Sequence, residues 1–359
     1  MPRTHEVGHR AAYKYQAVKY YHFGVEPGTS LVLTANPWAY LSAWFSQEIA
    51  KSRGGNRDRF EKGKYFVEQA ESFDDAAGFT KLPTKGTLIY YSMLNLVKAL
   101  LSVRGIDLEV QIEHHGLSLP PGTTDEIAVS SSSTGAISIF HEFCRALGYQ
   151  APARQNIKLE TVYSQIPEIH EISFTLGRLS TSKRGFLPVE VDFLVNEAKD
   201  KAFIEIRYEK KNEVRVPCGK FYRGEIKNYC NLRAADEGGW VIYRSKRRKT
   251  VNTANWPRIY RNLCTEIEKF GLSSILTRSG YRYYANLAPG PIPQLPSVLA
   301  LMFFIGTVVR YRPSVTEAIM TGDLYPILAE SVESCPRQFL YQMASHITSS
   351  VCAVPQAKI

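Results

Sequence analysis

Two adjacent histidines, His114 and His115, are the residues of this chain whose type and spacing best suit chemistry. They follow an apolar stretch that carries Lys98 and Arg104. Histidine exchanges protons near neutral pH, and arginine binds phosphate oxygens. RNA cleavage without a metal needs a group that takes the 2′-hydroxyl proton and a cation that stabilises the phosphorane. His114, His115 and Arg104 are therefore the candidate catalytic residues, and the alternative is a solvated histidine turn.

Two amphipathic helices must position these side chains. Apolar residues recur at three- and four-residue spacings in residues 66–79 and again in 88–101, which is the pattern of a buried helical stripe. Pro83 and Gly86 interrupt the pattern between them. An antiparallel helical hairpin is predicted, with Lys98 and Arg104 near the same end of its second helix.

The segment YYSMLNLVKALLSVRGIDLEVQIEHHGL resembles HEPN-type helical domains, in which a tyrosine-bearing helix is followed by a small-residue turn and a histidine. The likeness to the YaaC-like family is closer, and three further segments support it: NPWAYLSAWFSQ, LETVYSQIPEI and LALMFFIGTVVRYRPS. The resemblance implies a HEPN-like helical core. HEPN-type domains include metal-independent ribonucleases, many of them in toxin and antiphage systems, and members that only bind nucleotides or partners. Nine residues separate Arg104 from His114, which is more than in the catalytic members.

Composition favours an anionic partner. The chain has 359 residues, of which 44% are hydrophobic and 22% charged, and its net charge is +10. Such a charge steers nucleic acid to the surface and says little about fold. The expected anionic partner is nucleic acid, RNA rather than DNA, or else a nucleotide. A homodimer and a partner protein from a defence system are both left open. Six scattered cysteines without a CxxC pair indicate neither a metal site nor a cofactor.

Residues 244–261 form a basic segment that combines cations with flat aromatic rings, and this composition suits phosphate contacts and base stacking. The alternative is a solvated loop. Arg310 ends a strongly apolar helix and is predicted either to pair with a carboxylate or to face the histidines. The residues expected to bind nucleic acid are Lys98, Arg244, Lys246, Arg247, Arg248, Lys249, Trp256, Arg258, Arg261 and Arg310.

The predicted fold class is α+β and predominantly α-helical. Alternating apolar and polar residues predict strands at 189–195 and 202–207, and strands are also predicted at 240–243 and 281–286. The expected order is an N-terminal extension (1–36), a HEPN-like helical domain (37–150), a mixed α/β middle region with a small, mostly antiparallel sheet and the basic segment (151–290), and a C-terminal helical region packing on the first (291–359). Carboxylates on the strands raise the alternative of a metal-dependent nuclease, which is disfavoured because arginine stands at 207 where lysine is expected.

A soluble cytoplasmic protein without membrane contact is expected. The N-terminus lacks an apolar signal core, and the most apolar stretch, 298–309, is shorter than the ~20 residues that span a bilayer. The favoured function is binding of nucleic acid or nucleotide through a basic surface, in a prokaryotic defence or toxin system. The alternative is a metal-independent HEPN-like ribonuclease that uses His114 or His115 with Arg104.

Overall fold

The computed structural model describes residues 8–29, 31–109, 112–131 and 136–355. The chain divides into two compact units. The sheet unit comprises residues 1–32, 181–288 and 349–359, and the mixed unit comprises residues 33–180 and 289–348.

The helices are α1 (Pro37–Lys51), α2 (Gly55–Gly78), α3 (Thr84–Val103), α4 (Ile139–Ala146), α5 (Leu159–Tyr163), α6 (Pro167–Thr175), α7 (Gly219–Arg223), α8 (Ile226–Tyr229), α9 (Trp256–Glu268), α10 (Gln294–Tyr311), α11 (Pro313–Thr321) and α12 (Tyr325–Thr348), with a 3-10 turn at Lys210–Val214. The strands are β1 (His9–Arg10), β2 (Ala12–Tyr13), β3 (Gln16–Ala17), β4 (Leu31–Leu33), β5 (Ile112–His114), β6 (Leu117–Ser118), β7 (Glu126–Ser130), β8 (Ala136–Ser138), β9 (Arg154–Lys158), β10 (Phe186–Val195), β11 (Lys201–Glu209), β12 (Cys230–Glu237), β13 (Trp240–Ser245), β14 (Lys249–Thr250), β15 (Leu272–Thr277), β16 (Gly280–Asn286) and β17 (Val351–Ala353).

An antiparallel sheet organises the sheet unit. Its order among the described residues is β12-β13-β11-β10-β16-β15, and β1 and β14 pair with β10 and β11 to make eight strands. Side chains alternate between the two faces of a strand, so Phe193 and Ile206 lie on one face and are buried in the core. The amphipathic helix α9 covers this core with Leu263 and Ile267, both fully buried.

The opposite face of β10, β11 and β13 carries paired charges. The register sets Glu190 opposite Arg207 and Glu205 opposite Arg244. Arg207 lies 2.6 Å from the Glu190 carboxylate and 3.5 Å from that of Asp192, and Arg244 lies 2.7 Å from Glu205. These strand carboxylates are engaged by arginines, and among the described residues no group of three His, Cys, Asp or Glu side chains is placed to hold a metal ion.

The mixed unit is built on the helices α2, α3 and α10. Tyr91 of α3 stacks on Phe73 of α2 at 5.4 Å, and Lys98 lies over the Phe66 ring. From Tyr91 to Lys98 the chain advances seven residues along α3, while their partners on α2 run backwards by seven, from Phe73 to Phe66. The predicted antiparallel hairpin is therefore present. The glycine Gly306 lets α10 approach α3 closely, because a Cβ there would lie 3.1 Å from the Thr87 Cα.

Two small sheets complete the mixed unit. One pairs β5 with β8 in parallel, with His114 opposite Ser138, and the other has the order β6-β7-β9. Helices α3 and α10 are long and apolar enough to cross a membrane by length and composition, but 72% and 78% of their most apolar windows are buried within the protein. That burial is typical of core helices in a soluble fold, while the cytoplasmic location stays a prediction.

The expectation of a predominantly helical chain, with a helical N-terminal part and only a small sheet, is wrong. The structure is 47% helix and 23% strand, and an eight-stranded antiparallel sheet occupies its middle. The strands that were missed are short or polar. β12 reads CNLRAADE and is mostly exposed, and β5 and β7 lie between the helices of the N-terminal region. A hydropathy pattern does not predict β5 or β12, because their residues are mostly exposed. In β7 the buried Ile127 and Val129 do alternate with less buried residues, but over only five residues.

Candidate functional site

The backbone around the two histidines is held by strand pairing and a tight turn. His114 ends β5, and the carbonyl of His115 accepts a hydrogen bond from the Phe140 N–H at 3.2 Å. Gly116 follows with a φ of +78°, and a Cβ at this position would lie 2.0 Å from Ser138 Oγ. Only glycine fits this turn, which therefore fixes the direction in which His115 leaves the strand.

The His115 imidazole lies against the aromatic surface of α3 and α10. Its Nδ1 is 2.6 Å from the Tyr90 hydroxyl, and its ring centroid is 5.7 Å from that of Tyr90 and 6.4 Å from that of Phe303. Burial lowers the pKa of His115, and the charges of Lys98 and Arg310 lower it further. The lowered pKa favours the neutral ring at pH 7, in which one of the two nitrogens carries no proton.

Arg310 projects from the last turn of α10 beside the same tyrosines. Its Nε donates to the Gly306 carbonyl at 2.9 Å, its Nη1 donates to the Tyr91 hydroxyl at 2.5 Å, and its guanidinium lies 5.2 Å from the Tyr91 ring centroid. Arg310 is half-buried, and no carboxylate pairs with it among the described residues. We call His115, Tyr90, Tyr91 and Arg310 the His115 cluster.

Lys98 reaches the edge of the His115 cluster but is already paired. Its Nζ lies 2.5 Å from the Glu113 carboxylate, and only 15% of its side chain is exposed. Glu113 therefore already occupies the Lys98 ammonium and opposes its effect on the pKa of His115.

His114 and Arg104 lie outside the cluster. The His114 Nδ1 accepts the Gly116 N–H at 3.1 Å, which turns this imidazole back on its own strand end. Arg104 caps α3, six residues beyond Lys98 and therefore about 9 Å further along the axis, and its side chain is exposed without a hydrogen bond to any described residue. The structure thus brings together His115, Arg310 and Lys98, and it does not bring Arg104 to them.

Sequence reasoning missed Tyr90, Tyr91 and Glu113. The adjacent tyrosine pair in an otherwise apolar helical stripe could have indicated these residues. A buried tyrosine hydroxyl needs a hydrogen-bond partner, so a polar group is expected nearby. Burial also raises the pKa of Tyr90 far above its ordinary value, so that its hydroxyl stays protonated.

Part of the basic segment serves the fold of the sheet unit. Arg244 pairs with the buried Glu205, and Lys249 pairs with Glu266 at 3.1 Å. Trp256 is 5% exposed and donates its indole N–H to the Ala12 carbonyl at 3.1 Å, so its ring has no free face for a base.

The other cations of this segment reach the surface. The Lys246 ammonium donates to the Lys227 carbonyl at 2.6 Å, the Arg248 guanidinium lies 5.8 Å from the Phe203 ring centroid, and Arg261 is 3.8 Å from Glu26. Two more cations, Arg247 and Arg258, are exposed and make no ion pair in the described part of the chain. The surface cations are Lys246, Arg247, Arg248, Arg258 and Arg261.

The fold and these contacts define an α+β protein in which a histidine, two tyrosines and an arginine meet on packed helices. The chain matches the family described as YaaC-like Protein over residues 32–347 and belongs to that family. No curated protein and no solved structure matches it.

Proposed function

We propose that the protein binds a phosphate-bearing ligand, RNA or a nucleotide, at the His115 cluster. The observation that carries this proposal is the half-buried guanidinium of Arg310, which has no carboxylate partner among the described residues. A partly desolvated charge without a counter-ion costs free energy, and an anion bound beside it reduces that cost.

The donor geometry of Arg310 suits a phosphate. A guanidinium has five N–H donors, and the Gly306 carbonyl and the Tyr91 hydroxyl use two of them. The terminal Nη2 has no partner in the described residues. Three N–H groups therefore remain for phosphate oxygens, and the guanidinium lies beside the ring of Tyr91.

The surface cations of the sheet unit are a second, independent reason to expect an anionic partner. Arg247 and Arg258 have no counter-charge among the described residues, and the whole chain carries +10. Such charges raise the rate and the salt dependence of nucleic-acid binding without reading its sequence.

Binding can be tested with fluorescein-labelled RNA followed by anisotropy, and with ATP followed by calorimetry. Arg310→Gln should weaken the site by about tenfold to a hundredfold, the range for a lost charged hydrogen bond. Arg104→Gln is the matched control, since it removes the same charge from an exposed position in the same unit. An equal loss of affinity in both variants would mean that only the net charge of the protein attracts the ligand, and it would refute the proposal.

A ribonuclease remains the second candidate because His115 is a neutral imidazole beside a cation. In this role His115 takes the 2′-hydroxyl proton and Arg310 stabilises the phosphorane. Cleavage of total RNA should persist in EDTA and should be lost in His115→Gln but not in His9→Gln, where an exposed histidine of β1 is changed. Intact RNA with the unchanged protein would exclude this activity and leave binding alone.

The HEPN-like part of the resemblance, the defence or toxin setting and the homodimer stay predictions. The family match supports the YaaC-like part.

A further inference from the structure

The sheet unit contains a cleft beside α7 that plays no part in the function proposed above. It is an open cleft of about 740 Å³ between α7, the edge strand β12 and the inner strands β11 and β13. This volume falls in the range of pockets that hold small ligands and cofactors. The lining combines a stack of tyrosine rings with an excess of positive charge.

The tyrosine stack runs outward from the core. The rings of Tyr208 and Tyr243 are 6.4 Å apart at 27°, and those of Tyr243 and Tyr222 are 5.9 Å apart at 28°. Tyr208 and Tyr243 are 2% and 5% exposed, whereas Tyr222 is 41% exposed. The stack therefore ends in a ring that lines the cleft and is open to solvent, which is a surface on which a further flat ring can lie.

Neighbouring side chains fix the two inner rings of the stack. The Tyr208 hydroxyl donates to the Glu213 carboxylate at 3.0 Å. The ring of Phe221 meets Tyr208 at 88° and Tyr243 at 75°, with centroids 5.7 and 5.4 Å away. A platform that is already ordered loses little entropy when a ligand stacks on it.

Three cations line the same cleft. Lys183, Lys220 and Arg223 are exposed and make no ion pair in the described part of the chain. Glu213 is the one carboxylate of the described lining, and it accepts the Tyr208 hydroxyl. The charge of the lining is therefore positive beside an aromatic face, and phosphate is the anion that lysine and arginine both bind well.

We infer that this cleft binds a nucleoside phosphate, with the base stacked on Tyr222 and the phosphate held by Lys220 and Arg223. A free nucleotide and an unpaired nucleotide of an RNA strand present the same chemistry to the cleft. The inference is independent of the His115 cluster, which belongs to the mixed unit.

Calorimetric titrations of the full chain test this site in the Arg310→Gln background, in which ligand bound at the His115 cluster contributes less. The probes are AMP, adenosine, ribose 5-phosphate and a six-residue oligoadenylate. AMP or the oligonucleotide should bind, and Tyr222→Ser should weaken that binding about tenfold or more, as expected when one base loses its stacking partner. Binding of AMP indicates a free nucleotide, and binding of the oligonucleotide alone indicates a strand.

Matched variants separate stacking from charge. Arg223→Gln should weaken AMP binding about tenfold and leave any adenosine binding unchanged. Tyr65→Ser and Lys227→Gln change an exposed tyrosine and an exposed lysine outside the cleft and should change neither affinity. Ribose 5-phosphate binding as tightly as AMP, affinity that is indifferent to Tyr222→Ser, or no binding by either AMP or oligoadenylate would each overturn the inference.

Discussion

Glu168, on the first turn of α6, should make the protein less stable at alkaline pH. Burial raises the pKa of its carboxyl from 4.5 to about 7, and the charge of Glu330 contributes in the same direction. Its Oε1 is buried without a hydrogen-bond partner among the described residues. A carboxyl in this position is easier to bury protonated than ionised.

The sign and size of the effect follow from proton linkage. The folded protein holds this proton more tightly than the unfolded chain does, so the stabilisation is complete below pH 4.5, decreases as the pH rises and is lost above about pH 7. A pKa difference between 4.5 and about 7 corresponds to about 3 kcal/mol. Glu168→Gln keeps the shape and removes the charge, so it should recover about this amount at pH 8 and almost nothing at pH 4.

Urea denaturation at pH 4, 6 and 8, followed by circular dichroism, measures this difference. Glu317→Gln is the control, because Glu317 is an exposed residue of the same unit with no ion pair among the described residues. The relevant quantity is the free energy of unfolding of each variant relative to the unchanged protein at each pH. A Glu168→Gln effect that does not grow with pH would refute the account of a carboxyl protonated by burial.

Three further predictions follow from contacts described above. Gly116→Ala should lower the free energy of unfolding by about 2 kcal/mol or more, because it combines a positive φ with a clash, and urea denaturation measures it. Glu205→Gln should cost about 3 kcal/mol by the same measurement, since it leaves the Arg244 guanidinium without its buried counter-ion. Lys98→Met should raise the pKa of His115 by removing a nearby cation, as read from the imidazole proton shifts in an NMR titration.

Each of these predictions has its own contradicting result. Gly122 also has a positive φ but has open space around it, so Gly122→Ala should cost less than Gly116→Ala, and equal costs would remove the argument from the clash. If Glu205→Gln lowered the free energy of unfolding by less than about 1 kcal/mol, the ion pair would contribute no more than an exposed one, which would contradict the prediction. A His115 pKa that stays constant or falls in Lys98→Met would show that burial alone sets it.

The helices around the site were predictable because the spacing of their apolar residues reflects which positions are buried. The apolar spacing of 88–101 reflects burial, and α3, which extends from Thr84 to Val103, is buried on most sides there. Local propensity alone would end a helix before Pro336, yet α12 continues through this residue. Neighbouring helices that pack on α12 supply a stabilisation that local propensity does not include.

The geometry of the site was only partly predictable. The pairing of Lys98 with Glu113 depends on β5, a three-residue strand of which two residues are exposed. The approach of Arg310 to His115 depends on the contact of α3 with α10 at Gly306. Both contacts join residues that are distant in sequence, and spacing along one chain carries no information about such pairs.

The sheet unit is assembled from three separate stretches of the chain. Phe23 and Val25 share a small buried cluster with Val351, more than three hundred positions later. During synthesis on the ribosome, this cluster cannot close until residue 351 has emerged. Deletion of residues 349–359 would remove the buried Val351, Cys352 and Ala353 from a unit whose other stretches are 1–32 and 181–288. This truncation should therefore disturb the residues around Phe23.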